Sequence, residues 1–237
     1  MVDDDPGTMS LLEHLQELRR RLIIVVVSVL LAAIVGFVVS GNILDLLMAP
    51  IPDAFEKLYF TGPADAFSAY LKIAGFVGIA IAMPIILFHV WRFVTPGLTS
   101  GERRFVWPVL VVAIALFALG LLVGYAVIPY ALNFLLGFSR PNLQPLLTVQ
   151  DYIGFVTSML LAFGIILEFP IVLVGLARVG ILSHKRLAAQ RRFVIVGIVA
   201  LAIVLTPGGD PISPLILSSV MLLLFEGSLL VIRLIGR

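Results

Sequence analysis

Four acidic residues are the main candidates for chemistry in this sequence: Glu17, Glu102, Glu168 and Asp210. Carboxylates bind guanidinium groups through paired, charge-assisted hydrogen bonds, transfer protons, or cap the N-termini of helices. The chain has no cysteine, and its three histidines lack the paired spacing of a metal site. It also lacks the HExxH, GxSxG and Walker motifs. We therefore expect no catalytic residue, no metal and no other cofactor.

Glu17 and Glu102 each have a simpler, structural interpretation. Residues 9–21 have the spacing of an amphipathic helix, on which Glu17 precedes Arg21 by one helical turn and can form an ion pair with it. Glu102 follows Thr99 at the spacing of a capping box, so it can satisfy amide groups at the start of the next helix. Sequence physics alone leaves both interpretations open beside a binding role.

Glu168 and Asp210 lie within or beside apolar segments. Glu168 stands two residues before Pro170 in a long apolar run. An ionisable group at membrane depth is costly and usually faces a polar cavity or a partner. The alternative is a protonated, hydrogen-bonded structural residue. Asp210 follows Pro207, and capping the next helix is its simpler role.

The composition indicates that lipid is the solvent for most of the chain. Of its 237 residues 61% are hydrophobic and 13% are charged, against roughly 45–50% and 25% in soluble domains. The apolar runs are continuous rather than alternating, which favours helices over a barrel. We predict an all-α polytopic membrane protein forming one domain over residues 1–237. After the amphipathic segment within residues 1–21, the predicted spans are about 22–40, 70–91, 105–131, 152–177, 193–206 and 211–232.

The fifth predicted span is short. Its apolar stretch of about 14 residues rises roughly 21 Å as a helix, less than the hydrocarbon thickness of about 30 Å. The bilayer thins there or neighbouring helices cover the segment. A re-entrant hairpin is the alternative.

The basic residues predict the orientation. Six spans place both termini on one side, which then carries all sixteen Lys and Arg residues except Lys57, Lys72 and Arg140. By the positive-inside rule this side is cytoplasmic. The outer loop at 41–69 is expected to form short helical pieces that pack over the outer face, and residues 139–150 form a second outer cap. On the basic side, Glu17 and Glu102 would selectively attract guanidinium groups.

Four segments together resemble the TatC family of the twin-arginine protein translocase. They are HLQELRRRL at 14–22, WRFV with PGL and ERR between 91 and 104, AFG with EFP between 162 and 170, and LTP at 205–207 with Asp210. The resemblance covers nearly the whole chain in the same order. It departs at Gly208 and Gly209, which make the turn before Asp210 rich in glycine.

The resemblance implies a receptor that binds twin-arginine signal peptides at the cytoplasmic face. Folded proteins would then be exported with single-span TatA- and TatB-like subunits, driven by the proton-motive force. It implies that Glu17 and Glu102 bind the arginine pair. Phe93, Arg19 and Leu98 fall in the same motifs.

The resemblance also implies a prokaryotic cytoplasmic membrane and a homo-oligomer within a receptor complex, with no nucleic acid. Glu168 and Asp210 would then be polar groups within the membrane for a partner helix or local water. The alternative function is a proton-coupled secondary transporter that uses Glu168. A membrane-embedded hydrolase is disfavoured because the sequence lacks a nucleophile and base in suitable spacing.

Overall fold

The computed structural model describes residues 11–52, 55, 57–94, 106–178 and 180–234, and confirms the predicted all-α fold. The helices are α1 (Leu11–Val38), α2 (Ser40–Met48), α3 (Asp65–Val94), α4 (Val106–Leu136), α5 (Val149–Ile166), α6 (Phe169–Arg178), α7 (His184–Ala189), α8 (Arg191–Leu205) and α9 (Ile212–Leu234).

Five helical segments in the described chain are long and apolar enough to cross a membrane. They are Leu12–Val38, Asp65–Phe93, Trp107–Leu136, Val149–Arg178 and Ile212–Leu234. The predicted fifth span corresponds to α8, which has 15 residues and rises about 22 Å. Length and composition alone therefore support five crossings.

The N-terminal amphipathic segment does not form a helix of its own. We expected it to end at Arg21, before a span beginning near Leu22. Instead, α1 runs unbroken from Leu11 to Val38. No proline or glycine interrupts the sequence between these segments, so the helix hydrogen bonding continues through them.

The predicted fourth span at 152–177 is divided into two helices. Helix α5 ends at Ile166, and α6 begins at Phe169 with Pro170 in its first turn. Proline has no amide hydrogen and is accepted in the first turn of a helix, where that amide has no intrahelical partner. Glu168 therefore stands at the junction between α5 and α6, and only 8% of it is exposed.

Helix α5 forms the centre of the packing. Ile153, Val156, Met159 and Phe163 on this helix are fully buried. Helix α4 approaches α5 very closely at Gly120, where an added Cβ would lie 2.5 Å from the carbonyl oxygen of Phe163. Glycine is required at this position because any side chain would meet backbone atoms. This contact is internal packing between helices of one chain.

The loops that follow α1 and α4 are held together by specific hydrogen bonds. Helix α2 is buried through Leu47, whose carbonyl accepts from the Tyr152 hydroxyl at 2.6 Å. Tyr59 forms a parallel bridge with Thr148, and its carbonyl accepts from the Val149 amide at 2.7 Å. Two segments far apart in sequence thus form one structured cap at this end of the bundle.

Candidate functional site

The N-terminal half of α1 meets the C-terminal end of α3. The rings of His14 and Phe93 stack with their centroids 4.2 Å apart and an interplanar angle of 20°. Glu17 and Arg21 lie further along the same part of α1, and His89 lies one turn before Phe93 on α3. We call these five residues the α1–α3 corner. It joins the N-terminal motif to the start of the 91–104 motif.

Small residues fix how α1 lies along α3. An added Cβ on Gly78 would stand 2.8 Å from the Cβ of Ala33, and one on Gly36 would stand 2.9 Å from the carbonyl oxygen of Ala74. The helices pack closely and antiparallel at these positions. This register brings the beginning of α1 to the end of α3, and so positions the corner.

Glu17 is paired within its own helix. Its Oε1 accepts a hydrogen bond from Nη2 of Arg21 and forms an ion pair with that guanidinium. The side chains are 22% exposed for Glu17 and 12% exposed for Arg21. The i to i+4 ion pair anticipated from the sequence is therefore present, and it is more shielded than a typical pair on a helix surface.

Several polar atoms in the corner are buried without a hydrogen-bond partner among the described residues. They are Oε2 of Glu17, Nε and Nη1 of Arg21, and Nδ1 of His89. His14, Arg21 and Arg92 lie within electrostatic range of Glu17. The corner thus combines one carboxylate with several basic side chains.

The structure brings only part of the predicted binding set together. Glu17 and Phe93 are in the corner, and Arg19 is exposed on α1 nearby. Leu98 and Glu102 lie outside the described residues, as does Thr99 of the predicted capping box. Helix α3 ends at Val94, immediately before this undescribed part of the 91–104 motif.

Asp210 caps the start of α9, which is the simpler of the roles expected for it from the sequence. Its Oδ1 accepts from the Ser213 amide at 2.7 Å, at the start of α9. The residue is 3% exposed, and its Oδ2 has no hydrogen-bond partner in the described chain. It lines a largely apolar groove of about 430 Å³ between α8 and α9, together with Val199, Ile203, Thr206, Pro214 and Leu215.

Glu168 occupies a different environment. Its Oε1 is buried and has no hydrogen-bond partner within the part of the chain that the structure describes. The residue lies at the break between α5 and α6, where the amide of Ile171 donates to its backbone carbonyl at 3.0 Å. The sequence correctly indicated a carboxylate within apolar surroundings. It did not predict which side chains surround it.

Two contributors to the corner were missed in the sequence. His14 stacks on Phe93, and His89, within electrostatic range of Arg21, has a buried Nδ1 with no hydrogen-bond partner in the described chain. Both residues lie in or beside segments that the family resemblance highlighted. The spacing of His14 and Glu17 on one helix is the available signal, but it does not reveal a contact with α3.

Comparisons with known proteins place this arrangement in a family. The model of the Sec-independent protein translocase protein TatC matches residues 13–219. A curated TatC from Carboxydothermus hydrogenoformans is 36% identical over 99% of this chain and 96% of its own length. One from Aquifex aeolicus is 37% identical over 97% of each chain. A crystal structure described as the twin-arginine translocase receptor TatC is 37% identical, with a TM-score of 0.80 over 95% of this chain and 100% of that one.

This chain belongs to the TatC family. As a TatC-family protein it is a membrane component of the Sec-independent, twin-arginine translocase. The family also includes a chloroplastic TatC from Arabidopsis thaliana, which is 32% identical over 98% of this chain and 69% of its own length. The assignment does not support the alternative of a proton-coupled secondary transporter.

Proposed function

We propose that this chain is the receptor subunit that binds twin-arginine signal peptides for export of folded proteins driven by the proton-motive force. The observation that carries the proposal is the stacking of His14 on Phe93. This contact joins the two sequence motifs that the family resemblance associates with peptide binding. The crystal structures that resemble this chain are described as receptors.

The chemistry of the α1–α3 corner suits an arginine-containing ligand. A carboxylate binds a planar guanidinium through two parallel, charge-assisted hydrogen bonds. Glu17 supplies such a carboxylate among basic side chains that repel other cationic groups. We propose that Glu17 binds one arginine of the pair and Glu102 the other, with Phe93, Arg19 and Leu98 completing the site.

We further propose six crossings, with α8 as a short fifth span and both termini in the cytoplasm. The support is the predominance of basic residues on the side of both termini. This orientation places the α1–α3 corner in the cytoplasm, where an exported protein is made. The membrane would be the prokaryotic cytoplasmic membrane.

The groove between α8 and α9 is the proposed docking site for a single-span TatA- or TatB-like subunit. It is largely apolar and contains the Oδ2 of Asp210, which has no hydrogen-bond partner among the described residues. A partner helix with a polar side chain could satisfy this oxygen while covering the apolar walls. We propose that Glu168 contributes to partner assembly or local hydration, and that several copies of the chain form the receptor complex.

Binding of a twin-arginine signal peptide to purified variants tests the receptor proposal. Glu17→Ala and Glu102→Ala should each weaken binding by on the order of tenfold, because each removes a charge-assisted hydrogen-bond acceptor. Glu13→Ala is the matched control, since Glu13 is exposed one turn earlier on α1. Unchanged affinity in both single variants and in the double variant would refute the site assignment.

A further inference from the structure

Glu17 does not present an open carboxylate in this structure. Oε1 is engaged by Nη2 of Arg21, and Oε2 is buried. A guanidinium from outside can therefore form paired hydrogen bonds with Glu17 only if Arg21 moves away or the carboxylate turns. Either movement breaks the existing ion pair.

Arg21 carries the same chemical group as the proposed ligand. Binding would thus exchange one guanidinium for another on the same carboxylate, and the number of ion pairs on Glu17 would be conserved. We propose that Arg21 is an intramolecular competitor of the signal peptide for Glu17, and that it sets the affinity of the receptor. This inference rests on the proposed function and specifies how the same site is controlled.

The surroundings of Arg21 favour an exchange over a permanent structural bond. Its side chain is 12% exposed, and Nε and Nη1 are buried with no hydrogen-bond partner among the residues described. Buried N–H groups without acceptors are destabilising. Arg21 is therefore held by only part of its bonding capacity, and its release into solvent would satisfy the remaining N–H groups.

The competition sets how strong a contact any ligand of Glu17 must make in order to bind. Breaking the Arg21 pair lowers the affinity of every ligand by the same factor, whatever the ligand is. A peptide with a correctly spaced arginine pair still binds, because it makes bidentate contacts. A ligand with a single ammonium contact binds Glu17 more weakly. The same reduction in affinity therefore leaves it largely unbound.

The test uses the full chain and measures the dissociation constant of a twin-arginine signal peptide. Arg21→Gln removes the competitor and should bind the peptide about two- to fivefold more tightly than the matched control. The control is Arg20→Gln, which removes the same charge from an exposed position on α1. It corrects for the reduced repulsion between the receptor and a cationic peptide.

Two further variants complete the design. Arg21→Lys keeps the charge but replaces the guanidinium with a more strongly hydrated ammonium, which competes less well for the carboxylate, so it should give a smaller gain in affinity. This variant decides the question if Arg21→Gln does not fold. In a Glu17→Gln background, Arg21→Gln should give no gain beyond that of Arg20→Gln, because the competition acts only through Glu17.

The outcomes separate this inference from the receptor proposal. Equal affinity of Arg21→Gln and Arg20→Gln, or weaker binding by both Arg21 variants, would overturn the competition while leaving the receptor intact. If Glu17→Ala, Glu102→Ala and the double variant all leave binding unchanged, the proposed receptor site itself fails.

Discussion

The centre of the bundle and the α1–α3 corner differ in burial and in the interactions that stabilise them. In the segment Val149–Arg178, 61% of the most apolar stretch is buried, whereas in Leu12–Val38 only 6% is buried. The centre is held by apolar packing and close backbone contact around α5. The corner is held by one ring stack and by the packing of α1 along α3, and its ion pair lies within α1.

This difference indicates that the two regions have different functional roles. In a tightly packed region, a change in side-chain volume directly changes the free energy of unfolding. A peripheral helix with few partners can change its contacts at much lower cost. We expect substitutions in the centre to affect folding or assembly, and substitutions in the corner to affect peptide binding.

The largest expected effect is a loss of stability from Gly120→Ala in the centre. The added Cβ would lie 2.5 Å from the Phe163 carbonyl oxygen and 2.6 Å from the Gly164 Cα. Overpacking of this kind costs about 1–3 kcal/mol. We expect a lower thermal melting temperature of the purified protein in detergent.

The matched control for this substitution is Gly197→Ala on α8, where nothing lies within 4 Å of an added Cβ. Alanine there should preserve or raise the melting temperature, since glycine within a helix is less stable than alanine by roughly 0.5–1 kcal/mol. Equal destabilisation by both substitutions would show that α4 and α5 are not in close contact.

The next effect concerns Glu168, the carboxylate at the centre of the bundle. Glu168→Gln keeps the shape and removes the ionisable group. We expect it to leave signal-peptide binding unchanged and to reduce partner assembly or export several-fold, because the carboxyl group belongs to the junction of α5 and α6 and the corner is formed by α1 and α3. Peptide binding and export are measured on the same variant.

Normal export by Glu168→Gln would remove the proposed role of this residue. Loss of peptide binding would instead show that the centre and the corner are not functionally separate. Glu17→Gln supplies the reciprocal comparison, since it should weaken peptide binding in a protein of normal stability.

The smallest effect is expected at a second exposed ion pair. The Nε of Arg191 at the start of α8 donates to Oε1 of Glu226 on α9 at 2.8 Å, and both side chains are about half exposed. Surface pairs contribute little to stability and are screened by salt. Arg191→Gln should lower the melting temperature by no more than about 2 °C, should show a smaller effect at high salt, and should not change peptide binding.

A change in peptide affinity in Arg191→Gln that matched the change in Arg21→Gln would contradict the account. It would mean that the net charge of the receptor, rather than the specific contact of Arg21 with Glu17, controls peptide binding.

The membrane helices were largely predictable because the bilayer imposes their length and polarity. Continuous apolar runs identified every long helix, and the short run near 193–206 indicated the 15-residue α8. Pro170 signalled an irregularity in the fourth span, but not that two separate helices would result. The joined α1 was missed because a change from amphipathic to apolar sequence does not require a change in backbone conformation.

The contacts of the site were less predictable. The Glu17–Arg21 pair follows from helix periodicity alone, so the sequence revealed it. The stacking of His14 on Phe93 depends on how α1 and α3 are aligned by close packing at Gly36 and Gly78. Such alignment depends on the shapes of two surfaces, and no local pattern encodes it.

The most direct test of the receptor is site-specific crosslinking of a twin-arginine signal peptide to the α1–α3 corner. A photoreactive phenylalanine analogue at Phe93 keeps the aromatic ring, and the same analogue at exposed Phe138, beyond the end of α4, serves as the control. The account predicts a crosslink from position 93 that disappears when the arginine pair of the peptide is replaced. Absence of that crosslink, or equal crosslinking from position 138, would contradict it.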